Sequence, residues 1–77
     1  MNRVIVYSTP TCPWCMRAKM FFKQNNIDFI DKNVAYDIEA QREMIAKSGQ
    51  LGVPVIDING RIIVGFDLPR IMAALNA

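Results

Sequence analysis

The chain contains no histidine and only two cysteines. A structural zinc site normally takes four Cys or His ligands, so one copy of this chain cannot complete one. Long apolar runs are also missing. No stretch approaches the roughly 20 residues that a membrane-spanning helix needs. Charge of one sign is scarce: 9 basic against 7 acidic residues leave a net +2. That surplus is too mild to argue for nucleic acid or a membrane surface as partner. Met1 to Tyr7 is too short for the apolar part of a secretory signal, and no small-residue cleavage pattern follows it. The expected setting is therefore cytoplasmic. There are no linkers, repeats or low-complexity segments.

What is present is a small core and one motif. Seventy-seven residues allow one domain, 1–77. A chain of this size buries only about 60% of its unfolded surface, so the 52% hydrophobic content must be packed compactly. Any substrate site must be shallow and near the surface.

The two cysteines lie in Thr11-Cys12-Pro13-Trp14-Cys15. The preceding run, Arg3-Val4-Ile5-Val6-Tyr7, is rich in β-branched residues with little alternation, which predicts a central strand covered on both faces. Ser8-Thr9-Pro10-Thr11 ends it. Pro13 suits the first position of a helix, where its missing N–H costs nothing. Cys12 then falls at the N-cap, and Cys15, Ala18 and Phe22 form one apolar stripe. Asn25-Asn26 ends this helix.

Further along, Phe29 to Val34 reads as a weaker strand. Asp37 caps a second helix running to about Lys47, with Ile38, Met44 and Ile45 inward and Gly49 as its stop. Val55–Ile58 and Arg61–Val64 flank Asn59-Gly60, the strongest short-range signal for a β-hairpin. Asp67 caps a last helix with Pro69 in its first turn and Leu68, Ile71, Met72 and Leu75 on one face. The order is β-α-β-α-β-β-α. The expected fold class is α/β: a mixed four-stranded sheet flanked by helices, with the first two strands parallel.

The chemistry centres on the cysteines. A thiolate, not a thiol, attacks a disulfide, and thiols in Cys-X-X-Cys settings reach pKa values of about 3.5 to 7.5. At the N-cap, the Cys12 sulfur faces the N–H groups of Trp14 and Cys15 and the positive end of the helix dipole. Cys12 is thus the expected nucleophile. Cys15, one turn further in, is expected to be buried and to resolve a mixed disulfide held on Cys12. Trp14 is expected beside the sulfur as a substrate contact. Two other readings of the pair stay open: a metal shared between two chains, and two unrelated buried cysteines. Arg17, Lys19 and Lys23 read first as a solvated helix face and second as support for a thiolate.

Two loops carry alternatives of their own. Val53-Pro54 is either an ordinary strand start or a cis-proline loop beside the dithiol, with the Val53 backbone turned out to pair with an extended peptide. Gly65-Phe66-Asp67 is either a plain turn and cap or a set of free N–H groups for a ligand carboxylate.

With these segments placed, the chain resembles the glutaredoxins of the thioredoxin superfamily over its whole length. The resemblance rests on Thr11-Cys12-Pro13-Trp14-Cys15, on Gly49-Gln50-Leu51-Gly52-Val53-Pro54, and on Val64-Gly65-Phe66-Asp67. It implies a thioredoxin fold and a glutathione-dependent thiol-disulfide oxidoreductase acting on protein disulfides and glutathionylated proteins. It implies no tightly bound cofactor, with glutathione as co-substrate, and a monomer. Glutathione joined to Cys12 would lie beside Trp14 and Pro54, pair with Val53, and place its γ-glutamyl carboxylate at Gly65, Phe66 and Asp67. The family often has a glutamine near the other carboxylate, and Gln41 falls at that position. Many members carry a lysine where Thr9 stands, a threonine at Gly52, a second glycine at Val64 and an acidic residue at Leu68. These departures weaken the expected hold on glutathione. The Gly65-Phe66 pair is also similar to the NrdH-redoxins, which take electrons from thioredoxin reductase; Pro13-Trp14 favours the glutaredoxin side. A third reading, a two-chain iron–sulfur cluster carrier, is disfavoured by Pro13, which stiffens the loop.

Overall fold

The computed structural model describes residues 2–77. Its elements are β1 (Val4–Ser8), α1 (Pro13–Gln24), β2 (Ile30–Asn33), α2 (Ile38–Ser48), β3 (Val55–Ile58), β4 (Arg61–Val64) and α3 (Leu68–Leu75). The strands form one sheet in the order β2-β1-β3-β4. β1 and β2 are parallel, with Ile5 opposite Ile30. β1 and β3 are antiparallel, with Val6 opposite Ile56, and so are β3 and β4. This is the mixed sheet of a thioredoxin-like fold, in the element order the sequence predicts.

All five residues of β1 are buried. Successive side chains of a strand point to opposite faces, and each face here has its own cover. Val4 and Val6, with Ile56, Ile58 and Ile63, pack against Ala18 and Phe22 of α1 and Ile71 and Ala74 of α3. Ile5 and Tyr7, with Val55, pack against Ala40 and Met44 of α2. Hence the missing alternation: neither face of β1 meets water. At the far end of the sheet Asn59 and Gly60 both take positive φ, 53° and 90°. That is the geometry of a two-residue turn whose twist matches its strands.

The helices bury narrower stripes than the sequence suggests. On α2, Met44 is buried as expected, but Ile38 and Ile45 are exposed and Ala40 takes the inward place. Ile38 opens the helix directly after its Asp37 cap, at the margin of the sheet, where it is 60% exposed. On α3, Leu68 and Met72 are exposed, while Ile71 and Ala74 are buried. A helix lying flat on a small sheet needs close contact, and small alanines permit it.

The α2 face also holds a polar network. The Tyr7 hydroxyl donates to Glu43 and accepts from Lys47 Nζ at 2.7 Å. Lys47 also donates to Asp57 Oδ2 at 2.8 Å, and Lys32 to Glu43 Oε1 at 2.7 Å. Asp57 is only 8% exposed, and its other oxygen accepts the Gly60 N–H at 2.8 Å. No buried side-chain polar atom lacks a partner among the described residues. The hydrogen bonds from Lys32 and Tyr7 hold the Glu43 carboxyl down to about 2. Burial penalises the Lys47 charge, but its bonds to Asp57 and Tyr7 outweigh that and raise its pKa. None of the helices is long and apolar enough to cross a membrane among the described residues.

Two measurements follow from this packing. Phe22 is fully buried between α1 and the sheet, so Phe22→Ala is expected to cost about 3–5 kcal/mol in urea unfolding. Glu43 titrates lower in the folded chain than its ordinary 4.5. Its contribution to stability is present above pH 4.5 and is lost as pH falls from there toward about 2. Glu43→Gln should make the acid limb of a stability–pH curve shallower; an unchanged limb would remove Glu43 from this role.

Candidate active site

β1 ends at Ser8, and the chain turns through Thr9–Thr11 into α1. The Cys12 N–H donates to the Thr9 carbonyl at 3.4 Å. Cys12 is the N-cap, in extended conformation, and Pro13 holds the first helical position. The Cys12 sulfur accepts the Cys15 N–H at 3.1 Å. The sequence predicts two such donors, Trp14 and Cys15; the geometry supplies the second. Cys12 and Cys15 are joined as a disulfide, with Cα atoms 5.2 Å apart. Cys15 is fully buried on the α1 stripe, while Cys12 is half-buried at the surface. In the reduced state the N–H of Cys15 and the helix dipole both favour a thiolate on Cys12.

The Val53–Pro54 peptide bond is cis, as one of the two sequence readings has it. The Val53 carbonyl oxygen lies 3.8 Å from Cys12 Sγ. The Pro54 carbonyl accepts the Gly65 N–H at 2.8 Å, which ties this loop to the turn before α3. Trp14, Val53, Pro54, Gly65 and Phe66 line a shallow cleft of about 260 Å³. Trp14 is 53% exposed, with its ring 6.5 Å from that of Phe66. Asp67 follows Phe66 and caps α3, accepting the Arg70 N–H at 3.3 Å. No hydrogen bond within the described residues engages the N–H groups of Val53, Phe66 or Asp67. Gln41 stands half-buried on α2 and is not one of the residues lining the cleft.

The basic residues of α1 have other partners. The Arg17 guanidinium stacks 4.6 Å from the Trp14 ring centre, and Lys19 pairs with Asp31 at 2.9 Å. Bonds from Ser8 and Lys19 overcome the cost of burial and lower the Asp31 pKa. Among the described residues, no ion pair or hydrogen bond joins Arg17, Lys19 or Lys23 to the Cys12 sulfur, so the thiolate-support reading finds no direct contact. A larger cleft, of about 440 Å³, runs along α1 past Met16, Lys19, Met20 and Phe29. It contains no sulfhydryl chemistry. No group of three or more His, Cys, Asp or Glu side chains gathers to hold a metal among the described residues.

Sequence reading missed two features. The Arg17 stacking on Trp14 has a findable signal, since i and i+3 are neighbours on a helix. The Gln50 side chain folds back onto the Gly52 backbone, and no local pattern announces that.

A buried strand feeding a Cys-X-X-Cys helix N-terminus, with a cis-proline loop against the sulfur, defines a redox-active protein of the thioredoxin-like class. More narrowly, the chain belongs to the glutaredoxin family, whose model matches residues 4–63. It is 56% identical over 66 residues to an uncharacterized glutaredoxin-like 8.6 kDa protein in the rubredoxin operon of Clostridium pasteurianum, covering 86% of this chain and 88% of that one. Among solved structures it is similar to the thioredoxin-like protein BC3987, with a TM-score of 0.86 and 27% identity over 92% of this chain and 97% of that one. A buckwheat glutaredoxin–glutathione complex superposes with a TM-score of 0.70 and 27% identity over 83% of this chain and 61% of that one.

The burial difference between the two sulfurs is directly measurable. After reduction, brief iodoacetamide treatment near neutral pH should label Cys12 and leave Cys15 free, as read by peptide mass mapping. Preferential labelling of Cys15 would overturn the expectation that Cys12 is the nucleophile.

Proposed function

We propose that the protein is a glutathione-linked thiol-disulfide oxidoreductase, with Cys12 as nucleophile and Cys15 as resolving thiol. The observation that carries this reading is the placement of Cys12 Sγ. It lies at a helix N-terminus, 3.8 Å from the Val53 carbonyl, at a cleft lined by Trp14, Pro54, Gly65 and Phe66. Family membership supports it, as does the fold shared with a glutaredoxin whose structure is a glutathione complex.

The Cys12 thiolate attacks one sulfur of a substrate disulfide. A new disulfide forms to Cys12, the substrate S–S bond breaks, and the departing thiolate takes up a proton. Cys15 then gives up its proton and attacks the Cys12 sulfur. The second substrate thiol leaves, and the Cys12–Cys15 bond closes. Two electrons have moved from the protein dithiol to the substrate. Glutathione restores the dithiol by the same steps in reverse order, giving glutathione disulfide. On a glutathionylated substrate, a second glutathione can instead attack the mixed disulfide at Cys12, so that Cys15 is not needed.

In this reading the cysteinyl backbone of glutathione pairs with Val53. Its γ-glutamyl carboxylate takes the N–H groups of Phe66 and Asp67 at the start of α3, where the helix dipole favours an anion. Gln41 is proposed for the other carboxylate. The cytoplasm, where thiols are kept reduced, is the proposed setting.

The test is reduction of a glutathione mixed disulfide, driven in one assay by glutathione with glutathione reductase and in the other by thioredoxin reductase. Turnover with glutathione supports the reading; turnover with thioredoxin reductase alone replaces it with an NrdH-like carrier. Cys12→Ser should abolish activity on every substrate. Cys15→Ser should retain deglutathionylation while losing reduction of protein disulfides.

A further inference from the structure

The loop between α2 and the cis-proline is held by a side chain. Gln50 Oε1 accepts the Gly52 N–H at 2.6 Å, and Gln50 Nε2 donates to the Gly52 carbonyl at 3.0 Å. One amide thus takes both backbone polar groups of a single residue. Ser48 anchors the base of the clamp: its hydroxyl lies 2.7 Å from the Met44 carbonyl and 3.4 Å from Gln50 Nε2. The clamp leaves no room at position 52. A Cβ there would stand 2.7 Å from Gln50 Oε1, closer than such atoms approach, so any side chain displaces the glutamine.

The Gly52 carbonyl and the Val53 N–H belong to one peptide plane. That bond is trans, since the only cis bond among the described residues is Val53–Pro54. In a trans peptide the C=O and N–H point in opposite directions. Fixing the oxygen with Gln50 therefore fixes where the Val53 N–H points. That N–H has no acceptor among the described residues, and the carbonyl of the same residue stands 3.8 Å from Cys12 Sγ.

We propose that Gln50 is a positioning residue: by clamping Gly52, it aims the Val53 N–H at the backbone carbonyl of the cysteinyl residue whose sulfur is attacked by Cys12. This refines the functional reading above and rests on it for the identity of Cys12 as nucleophile. It needs only a cysteinyl peptide as substrate, whether or not that peptide is glutathione. Gln50 touches no reacting atom. Its effect reaches the substrate through one peptide plane, and a disulfide with no peptide backbone should not sense it.

The experiment measures the second-order rate at which the pre-reduced protein reacts with two disulfides, in single turnover without glutathione. One is a symmetric disulfide of a short cysteinyl peptide; the other is bis(2-hydroxyethyl) disulfide, which has no backbone carbonyl. Loss of one aimed hydrogen bond should slow Gln50→Ala on the peptide by about fivefold and leave the hydroxyethyl rate unchanged. Gln50→Glu accepts from the Gly52 N–H but offers no donor to its oxygen, so it should behave like Gln50→Ala. Gly52→Ala should show the same selective loss, and the double variant Gln50→Ala with Gly52→Ala should be no slower than either single one. Equal slowing on both disulfides would mean a merely structural role, and no slowing on either would mean that the clamp aims nothing; each overturns the proposal. Wild-type protein that reacts here but fails to turn over with glutathione and glutathione reductase would count against the glutathione reading alone.

Discussion

Burial of β1 on both faces constrains the rest of the molecule. Its first four residues belong alternately to two cores, Val4 and Val6 to one and Ile5 and Tyr7 to the other. A one-residue slip would exchange the two sets and misfit both. The strand therefore has one register against β2 and one against β3. Its end, at Ser8, is fixed with the same firmness. The cysteine motif is built just beyond that point, because a helix starting at the end of β1 presents its free N–H groups there.

The two cysteines differ in depth. Cys12 is exposed enough for a substrate to reach, and it has the Cys15 N–H on its sulfur. Cys15 is part of the packed stripe that holds α1 to the sheet, beside Ala18 and Phe22. One turn of helix thus separates a half-buried sulfur from one in the core. Pro13 stabilises that turn without losing a hydrogen bond. On the opposite face, Tyr7, Lys47, Glu43 and Asp57 form a charged network whose members satisfy one another. It joins α2 to β1 and β3, so the loop that leaves α2 starts from a firm base. That loop leads through Gln50 to Val53, which brings the second half of the site to Cys12.

Much of this was readable in the chain. The seven elements, their order and the parallel β1–β2 pair follow from local patterns: β-branched runs, Asp37 and Asp67 as caps, and Asn59-Gly60 as a turn. Element ends shifted by a residue or so, as for β1, which begins at Val4 instead of Arg3. Helix burial was harder to read. Ile38, Ile45, Leu68 and Met72 lie at apolar spacing, yet they stay exposed while Ala40 and Ala74 are buried. Hydrophobicity says which residues can be inside; the area of a four-stranded sheet limits how many are.

The sequence by itself determined the fold and the identity of the reactive pair. Both rest on short-range rules, in which a residue's neighbours set its conformation: strand, cap, turn, and two cysteines one helical turn apart. The tertiary structure decided which groups share a site. Cys12 and Val53 are 41 positions apart, and the turn at Gly65 joins Pro54 only through the β3–β4 pairing. It also decided how Arg17 and Lys19 are used, on Trp14 and Asp31 and not on the sulfur. Those outcomes depend on which surfaces the sheet brings within a few ångströms, and local sequence has no term for that distance.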